Sequence, residues 1–513
     1  MRRNWIIILM VLGLANYSCK NKSSEPTITV TIDGNVCYQT IDNFGASDCW
    51  TIQHIGLWND TARNFAAKTL FSKEFDKNGN PQGIGLSLWR FNIGAGSTEQ
   101  GEASNILDKY RRVECFLNQN GTYDFNKQAG QTWFLKKAKE FGVEQYVAFV
   151  NSPPIYLTKN GRTNSSVKNE SNLEESKFPA YSDFITEVLI GLKKKTGVNF
   201  NYISPIVEPQ WAWMGGQEGM HFDNLAYAKL VRELDRSILA KSIQTKILIP
   251  EAGRYDYLYN NKLSGCGDQI DEFWGKGENS IADLSTVAPI ATAHGYYMNW
   301  PLNLMIEKRD SVNSHLKKYP KLRFWQTEYC ILGGNEGIAT SPRDTTINLG
   351  LYVARLIHLD IVNGNVSAWH WWLAASTYNY NDGLLVADDA NKTIKDTKLT
   401  WAFGNYSRFI NPGAVRVDAS LSNNPTIQSQ TETLLVSAYK DLKNMKITIV
   451  AVNMSKKEIP LKLKFKNFET SELSAYETST LNKLSKMVTF SSNEEYILPP
   501  RSITSFFGDL KQK

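Results

Sequence analysis

The chain has 513 residues, of which 42% are apolar and 21% are charged, so it is too long for one small core and too apolar to be largely disordered. Its net charge of +6 is spread thinly, without the dense basic run that is typical of nucleic-acid binding. The aromatic content of 12% is high. Core packing alone is one explanation, and aromatic side chains that stack on sugar rings are another. These values predict a large domain with one accessory domain.

The first 26 residues have the pattern of an export signal. Arg2 and Arg3 precede an apolar run at 5–15, which is too short to span a bilayer. Cys19 follows, and a polar stretch at 20–26 comes next, an order that resembles a bacterial lipoprotein signal with Cys19 as the lipidated residue. We expect an exported lipoprotein of the outer membrane or cell surface, or otherwise a periplasmic or secreted protein. Lipid attachment would be its only membrane contact.

From residue 41 to residue 409, short apolar runs alternate with segments of helical period. This alternation predicts an α/β fold, a (β/α)8 TIM barrel. The eight predicted strands are residues 43–49, 86–91, 146–150, 202–207, 246–249, 291–296, 322–325 and 366–372.

After Pro412 and Gly413 the pattern changes to short β-rich stretches joined by polar turns. Residues 410–513 are therefore predicted to form an appended antiparallel β-sandwich domain. The alternating segment at 27–32, within an N-terminal piece at 27–40, is predicted to pair with that domain.

Besides Cys19 the chain has five cysteines at irregular spacing, so at least one thiol should stay free, although one or two disulfides are possible. No cysteine or histidine spacing indicates a metal site, and we predict neither metal nor cofactor.

Two glutamates occupy the positions where a barrel of this kind carries its chemistry. Glu208 follows the fourth predicted strand and Glu328 follows the seventh, and active sites of such barrels lie at the carboxyl ends of the strands. Glycosidic cleavage needs one carboxylic acid and a second carboxylate, which these residues can supply. A single glutamate at such a position more often caps a helix or forms an ion pair. Two glutamates that follow these two strands, with Trp and Tyr residues nearby, are stronger evidence for a catalytic pair.

The motifs around these residues resemble glycoside hydrolase family 30, from about residue 40 to the C-terminus. They are FGASDCW (44–50), LWRFNIG (88–94), NSPP (151–154), ISPIVEPQ (203–210), AHGY (293–296), WQTEY (325–329), SRFINPGAVR (407–416) and LPPRS (498–502). The resemblance implies a retaining O-glycoside hydrolase with Glu208 as acid/base and Glu328 as nucleophile. Its partner would be a polysaccharide or oligosaccharide, and we expect a monomer.

Within that family, residues 90–96 and the Trp211-Ala-Trp213 segment most resemble the endo-β-1,6-galactanase-like branch, which implies cleavage of arabinogalactan side chains. Glucuronoxylanase, β-1,6-glucanase and exo-glycosidase activities remain alternatives, as does a carbohydrate-binding lipoprotein that has lost catalysis. One departure matters: the clan normally has Asn before the acid/base, where it hydrogen-bonds the sugar's 2-hydroxyl, and this chain has Val207.

Ten further residues are predicted to contact substrate. Arg90 is expected to hold the nucleophile ionised and Tyr296 to donate a hydrogen bond to Glu328. Asp48 could instead cap a helix. His294 and at least one of the Trp residues could instead be ordinary core residues. Glu251 is expected either to contact substrate or to be structural. The ten are Asp48, Trp50, Arg90, Asn92, Ser152, Trp213, His294, Tyr296, Trp371 and Trp372.

Overall fold

The computed structural model describes residues 25–263, 265–333 and 338–512. Its first strand, β1 (Ile28–Thr40), belongs to the C-terminal domain, and the next eight strands form a closed parallel barrel, because the last of them pairs with the first as well as with its predecessor. The predicted barrel is thus confirmed. Its strands are β2 (Asn43–Ser47), β3 (Leu88–Ile93), β4 (Gln145–Val150), β5 (Tyr202–Ser204), β6 (Lys246–Ala252), β7 (Val287–His294), β8 (Arg323–Glu328) and β9 (Val366–Ser376).

Helices connect and surround these strands. Polar side chains cap several of them at the N-terminus; Asn59, for example, accepts a hydrogen bond from the Ala62 amide. The α-helices are α1 (Thr51–Ile55), α2 (Asp60–Phe71), α3 (Ser97–Gln100), α4 (Ala129–Glu140), α5 (Phe178–Thr196), α6 (Asn224–Ala240), α7 (Gln269–Trp274), α8 (Leu302–Leu316), α9 (Ile347–Val362), α10 (Lys398–Ser407) and α11 (Ile427–Glu432). Short 3-10 helices lie at Gly101–Ser104, Lys109–Arg111, Glu175–Lys177 and Tyr255–Leu258. None of the helices in the described part of the chain combines the length and apolar character that a membrane span requires.

The barrel strands are buried on both faces, which is why their sequences are almost continuously apolar. Trp89 points outward and its ring lies 4.9 Å from that of Phe71 on α2, whereas its neighbour Arg90 points into the barrel. The lower interior is filled by a separate apolar cluster, so the barrel is closed below the mouth. That cluster is Leu88, Val147, Leu248, Ala288, Ile290, Trp325 and Ala368.

Three predicted strands end earlier than the apolar pattern indicated, and the first of them, β2, stops at Ser47. β5 stops at Ser204, so Val207 and Glu208 lie in the loop beyond it, and β7 stops at His294, so Tyr296 also lies in a loop. Residues 205–207 are apolar, so the sequence pattern extended the predicted strand through them. The strand ends before them because Pro205 has no N–H to donate to a neighbouring strand.

The C-terminal domain contains one nine-stranded sheet. Phe490 and Tyr496 lie on the two edge strands of this sheet, and their rings are 5.3 Å apart, so the sheet folds over on itself around one core, as in a sandwich. Strands β10 (Gly383–Asp388) and β11 (Thr393–Asp396) form a hairpin on the barrel. Besides β1, the nine-stranded sheet contains β12 (Val415–Leu421), β13 (Leu434–Asp441), β14 (Lys446–Asn453), β15 (Ile459–Lys466), β17 (Glu472–Thr478), β18 (Ser485–Ser491), β19 (Glu495–Leu498) and β20 (Ser502–Asp509). The short strands β16 (Phe468–Glu469) and β21 (Lys511–Gln512) pair with each other.

Strand β1 lies between β12 and β15 in this sheet. It is antiparallel to β12 and parallel to β15, whereas the strands of residues 410–513 pair antiparallel with one another, which confirms the predicted antiparallel domain. The parallel pairing is possible because β1 reaches the sheet from the other end of the chain, with the whole barrel as the connection.

The barrel and the β-domain share one continuous core. Tyr439, Val450 and Ile503 of the β-domain pack into the same apolar cluster as α9 and α10. The Asn405 side chain on α10 donates to the Ser505 hydroxyl at 2.9 Å, and that hydroxyl donates back to the Asn405 carbonyl at 2.7 Å. This packing holds the barrel rigidly against the sheet.

The five cysteines in the described residues are Cys37, Cys49, Cys115, Cys266 and Cys330, and all carry free thiols. Cys19 and the rest of the predicted export signal up to residue 24 lie outside the described residues.

Candidate active site

Three glutamates meet at the carboxyl ends of the barrel strands. Glu208 follows β5, Glu251 lies near the end of β6, and Glu328 is the last residue of β8. One carboxylate oxygen of Glu208 and one of Glu328 lie within 4.8 Å of each other. An approach this close agrees with the separation of about 5–5.5 Å between the carboxyl groups of retaining glycosidases.

His294 lies between the three glutamates. Its Nδ1 is 2.7 Å from Oε1 of Glu208 and 3.6 Å from Oε1 of Glu328, and its Nε2 is 3.1 Å from Oε2 of Glu251. Burial disfavours the charged ring, but the three carboxylates outweigh burial and raise the pKa of His294 to about 10. The ring is therefore an imidazolium at neutral pH and donates from both nitrogens.

Arg90 is the second cation of the site and is fully buried. Its guanidinium lies 3.1 Å from Oε2 of Glu251 and 3.3 Å from Oε2 of Glu328, and the Tyr296 hydroxyl donates to Oε1 of Glu328 at 2.9 Å. Burial raises the pKa of the Glu328 carboxyl, while the charges of His294 and Arg90 oppose that rise. Both oxygens of Glu328 are thus fixed by donors, as was expected for Arg90 and Tyr296.

Glu251 is the carboxylate that holds the two cations in place. It is fully buried, and besides Arg90 and His294 it accepts hydrogen bonds from the hydroxyls of Ser204 at 3.0 Å and Thr327 at 3.1 Å. Burial favours its neutral form, but Arg90 and His294 outweigh burial and lower its pKa to about 2. Glu251 is therefore a structural anion beneath the site.

The backbone around the site is strained. Glu208, Glu251, Trp50, Trp213 and Tyr297 all adopt left-handed conformations, with φ between 46° and 59°. Each such conformation costs a non-glycine residue roughly 1–3 kcal/mol, and strain of this kind clusters at functional sites. The Glu208 turn is stabilised in part by the Trp213 indole, which donates to the Glu208 carbonyl at 3.0 Å.

Glu208 and Glu328 line a cavity of about 480 Å³. Aromatic side chains line it on both sides of the carboxyl pair. Trp211 and Trp213 follow Glu208 in the chain, while Trp50 and Trp372 pack edge to face at 5.3 Å on the opposite side, near the strand of Glu328. The aromatic residues in the cavity wall are Trp50, Trp211, Trp213, Tyr296, Tyr297, Trp372 and Tyr380.

Six predicted substrate-binding residues do not line this cavity, and two of them, Arg90 and His294, bind the site glutamates instead. Asp48 is fully buried and accepts from the Asn92 amide at 2.8 Å, so it joins two strand ends. Asn92 is fully buried. Ser152 donates to the Pro153 carbonyl, and Trp371 is fully buried and donates to the Asp382 carbonyl at 2.7 Å. Asp48, Ser152 and Trp371 are thus each hydrogen-bonded within the protein, whereas the Asn92 amide has no partner among the described residues.

The sequence reasoning overlooked several residues of the cavity wall. Gln217, Tyr297, Tyr380 and Asp382 come from loops and Arg111 from a three-residue 3-10 helix, where hydrophobic periodicity gives no signal. Asn151 belongs to the NSPP motif and directly follows β4, so its strand-end position was the available signal for it.

Glu208, His294 and Glu328 are the described residues whose ligand atoms come close enough for a metal site. However, the raised pKa of His294 places a proton on each ring nitrogen, so at neutral pH the ring offers no lone pair to a metal ion. The donor set therefore fits a proton-transfer site better than a metal site.

Comparison with known proteins agrees with this geometry. The profile of O-glycosyl hydrolase family 30 matches residues 27–386. The chain is 22% identical over 410 residues to an endo-beta-1,6-galactanase of Hypocrea rufa, covering 77% of this chain and 76% of that protein. It is 25% identical over 440 residues to glucuronoxylanase XynC of Bacillus subtilis (strain 168), covering 83% and 87%.

A solved structure is also similar to this chain. A conserved exported protein from Bacteroides fragilis is 34% identical, with a TM-score of 0.88, and the match covers 93% of this chain and all of that one. The family profile spans more than two thirds of the chain, including all three site glutamates. The chain therefore belongs to glycoside hydrolase family 30.

Proposed function

We propose that this glycoside hydrolase is a retaining, endo-acting β-1,6-galactanase, with Glu328 as nucleophile and Glu208 as acid/base. The observation that carries the mechanism is the approach of the two carboxylates to within 4.8 Å in an open cavity. A carbohydrate-binding protein without catalysis would not need two carboxyls at that spacing, nor two buried cations to compensate them.

In the first step, a Glu328 oxygen attacks the anomeric carbon while the glycosidic C–O bond breaks and Glu208 protonates the leaving oxygen. In the second step, Glu208 takes a proton from water, the water oxygen bonds to the anomeric carbon, and Glu328 is released. Arg90 and His294 balance the charges of Glu251 and Glu328.

The aromatic residues on both sides of the carboxyl pair support endo action. Sugar units on either side of the scissile bond can stack on Trp211 and Trp213 in one direction and on Trp50 and Trp372 in the other. An exo-acting enzyme has no need of stacking surfaces in both directions from the scissile bond.

The charges at the cavity rim favour a neutral polysaccharide over glucuronoxylan. Arg111 lies 3.9 Å from Asp108 and stacks on Trp50, and Arg254 lies 3.1 Å from Asp256. A cation already paired in this way is a poor partner for a glucuronate carboxylate. Together with the similarity to the Hypocrea rufa galactanase, this supports β-1,6-galactan.

The test is a hydrolysis screen with product sizing on β-1,6-galactan, glucuronoxylan and β-1,6-glucan. We expect a ladder of β-1,6-galactooligosaccharides and no attack on glucuronoxylan. Release of galactose alone would replace endo with exo action. Preferred cleavage of xylan or glucan would overturn the substrate assignment, and no cleavage of any glycan would overturn the catalytic one.

We further propose that the enzyme is exported and anchored through a lipid on Cys19. This proposal is supported by the order of basic, apolar, cysteine and polar segments in residues 1–26, and by the similarity to the exported protein of Bacteroides fragilis.

A further inference from the structure

Asn151 and Val207 are neighbours in the cavity wall. Strands β4 and β5 are adjacent and parallel, with Phe149 opposite Ser204, so the residues that follow the two strands leave the barrel side by side. Asn151 is the first residue after β4, and Val207 directly precedes Glu208. Both line the cavity together with Glu208 and Glu328.

Catalysis at this site requires a polar contact that Val207 cannot make. In glycoside hydrolysis, a hydrogen bond to the sugar's 2-hydroxyl that strengthens in the transition state contributes several kcal/mol. Three polar groups around Glu328 are already committed: Arg90 and His294 bind carboxylates, and Tyr296 donates to Glu328 itself. The Asn92 amide has no partner among the described residues, but it does not line the cavity. The Ser152 hydroxyl is turned away to the Pro153 carbonyl.

Asn151 is free to make that contact. It is buried, with 6% of its surface exposed, and its side-chain amide has no hydrogen-bond partner among the described residues, although it faces the cavity. The Gln217 amide also lines the cavity, but it is only half-buried and lies in the loop nine residues beyond Glu208, at the rim. Gln217 is therefore the rival for this role, and Asn151 has the more central place.

We propose that Asn151 binds the 2-hydroxyl of the sugar unit that Glu328 attacks, and so determines turnover. The inference rests on the proposed retaining hydrolysis, but not on which polysaccharide is cleaved. An amide can donate a hydrogen bond to the hydroxyl oxygen or accept one from the hydroxyl proton. Because Asn151 is already fixed at a strand end, it loses little conformational entropy when substrate binds.

The test compares an aryl β-glycoside that the wild-type enzyme hydrolyses with its 2-deoxy analogue. Asn151→Ala should lower kcat/KM on the 2-hydroxy substrate by about 100-fold, the usual effect of losing one transition-state donor, and should leave the 2-deoxy substrate within about 3-fold of wild type. Gln217→Ala, which removes an amide from the rim of the same cavity, should affect both substrates equally. Thermal unfolding of each variant identifies any loss of fold.

A second variant separates a direct contact from a structural one. In the Asn151→Ala background, Val207→Asn places an amide beside the lost one and should restore at least part of the preference for the 2-hydroxy substrate. The assignment to Asn151 would be overturned if folded Asn151→Ala lost the same kcat/KM on both substrates. It would also be overturned if Gln217→Ala, and not Asn151→Ala, lost kcat/KM only on the 2-hydroxy substrate. If wild type hydrolyses no glycoside, the proposed function fails, which is a different result.

Discussion

Nδ1 of His294 lies 2.7 Å from Oε1 of Glu208, which makes the imidazole a direct neighbour of the proposed acid/base. The same ring contacts Glu251 through its other nitrogen, at 3.1 Å. A single buried cation thus connects the group that transfers protons to the anion that fixes the site from below. Because the ring cannot move without breaking both contacts, it fixes the orientation of Glu208.

The ionisation of His294 predicts a pH-dependent stability. Its pKa is about 6.5 in an unfolded chain and about 10 in the folded protein, so the folded state holds an extra proton between these values. Its stabilising contribution is complete below about pH 6.5 and is lost as the pH rises through about 10. The difference in unfolding free energy between wild type and His294→Gln should therefore shrink from pH 6 to pH 10, as measured by urea denaturation.

His358→Gln is the matched control. Burial lowers the pKa of His358 to about 3, so this ring is neutral in both the folded and the unfolded state above about pH 6.5. Its variant should show a constant difference from wild type between pH 7 and pH 10. A constant difference for His294→Gln as well would mean that His294 is not charged in the folded enzyme.

Arg90 should be essential to folding as well as to catalysis. Arg90→Met leaves Glu251 and Glu328 buried without that cation, and removing one partner of a buried ion pair typically costs about 3–5 kcal/mol. Arg236→Met removes an exposed cation that pairs with Glu233 on the surface of α6, and should have almost no effect. Equal unfolding free energies for the two variants in denaturant titrations would contradict the buried network.

The barrel could be predicted from the sequence because its strands are buried on both faces and its helices repeat at helical spacing. Glu208 and Glu328 could be identified because polar residues that follow apolar runs are conspicuous, and Tyr296 because it ends a predicted strand within the AHGY motif. The contact of Tyr296 with Glu328, expected from the sequence, is present at 2.9 Å.

Other features were beyond the reach of sequence patterns. Asp48 and Asn92 also lie at strand ends, but periodicity does not show whether such a residue faces the cavity or the wall behind it. The central role of Glu251 depends on four partners from β3, β5, β7 and β8, and this convergence exists only in three dimensions. The parallel pairing of β1 with β15 joins segments more than 400 residues apart, so no local pattern indicates it.

The proposed lipid anchor can be tested by labelling in a bacterial host. Wild-type protein should incorporate radiolabelled fatty acid and sediment with membranes, whereas Cys19→Ala should be unlabelled and soluble, because the thiol is the only attachment point for the lipid. Cys37→Ala removes an exposed free thiol from the folded part and should remain labelled. Equal labelling of wild type and Cys19→Ala would refute the anchor.

The roles of the two glutamates can be separated by their variants. A nucleophile is needed for every substrate, so Glu328→Gln should lose turnover even on glycosides with an activated leaving group, since no glycosyl-enzyme forms. Glu208→Ala should still form that intermediate from an aryl glycoside, because a good leaving group needs little protonation, but it should hydrolyse natural polysaccharide very poorly. Turnover on aryl glycoside and polysaccharide, measured side by side, distinguishes the two patterns.

Azide then identifies the nucleophile by stereochemistry. In Glu208→Ala the truncated side chain leaves room for azide to attack the glycosyl-enzyme at the anomeric carbon and release Glu328, so a β substrate should give a β-glycosyl azide and faster turnover. If the roles were reversed, azide would rescue a truncated Glu328 variant by a single displacement with inversion, and the product would be the α-glycosyl azide. Because one and two displacements at the same carbon give opposite configurations, the anomeric coupling constant in the NMR spectrum of the azide product decides which glutamate forms the covalent bond.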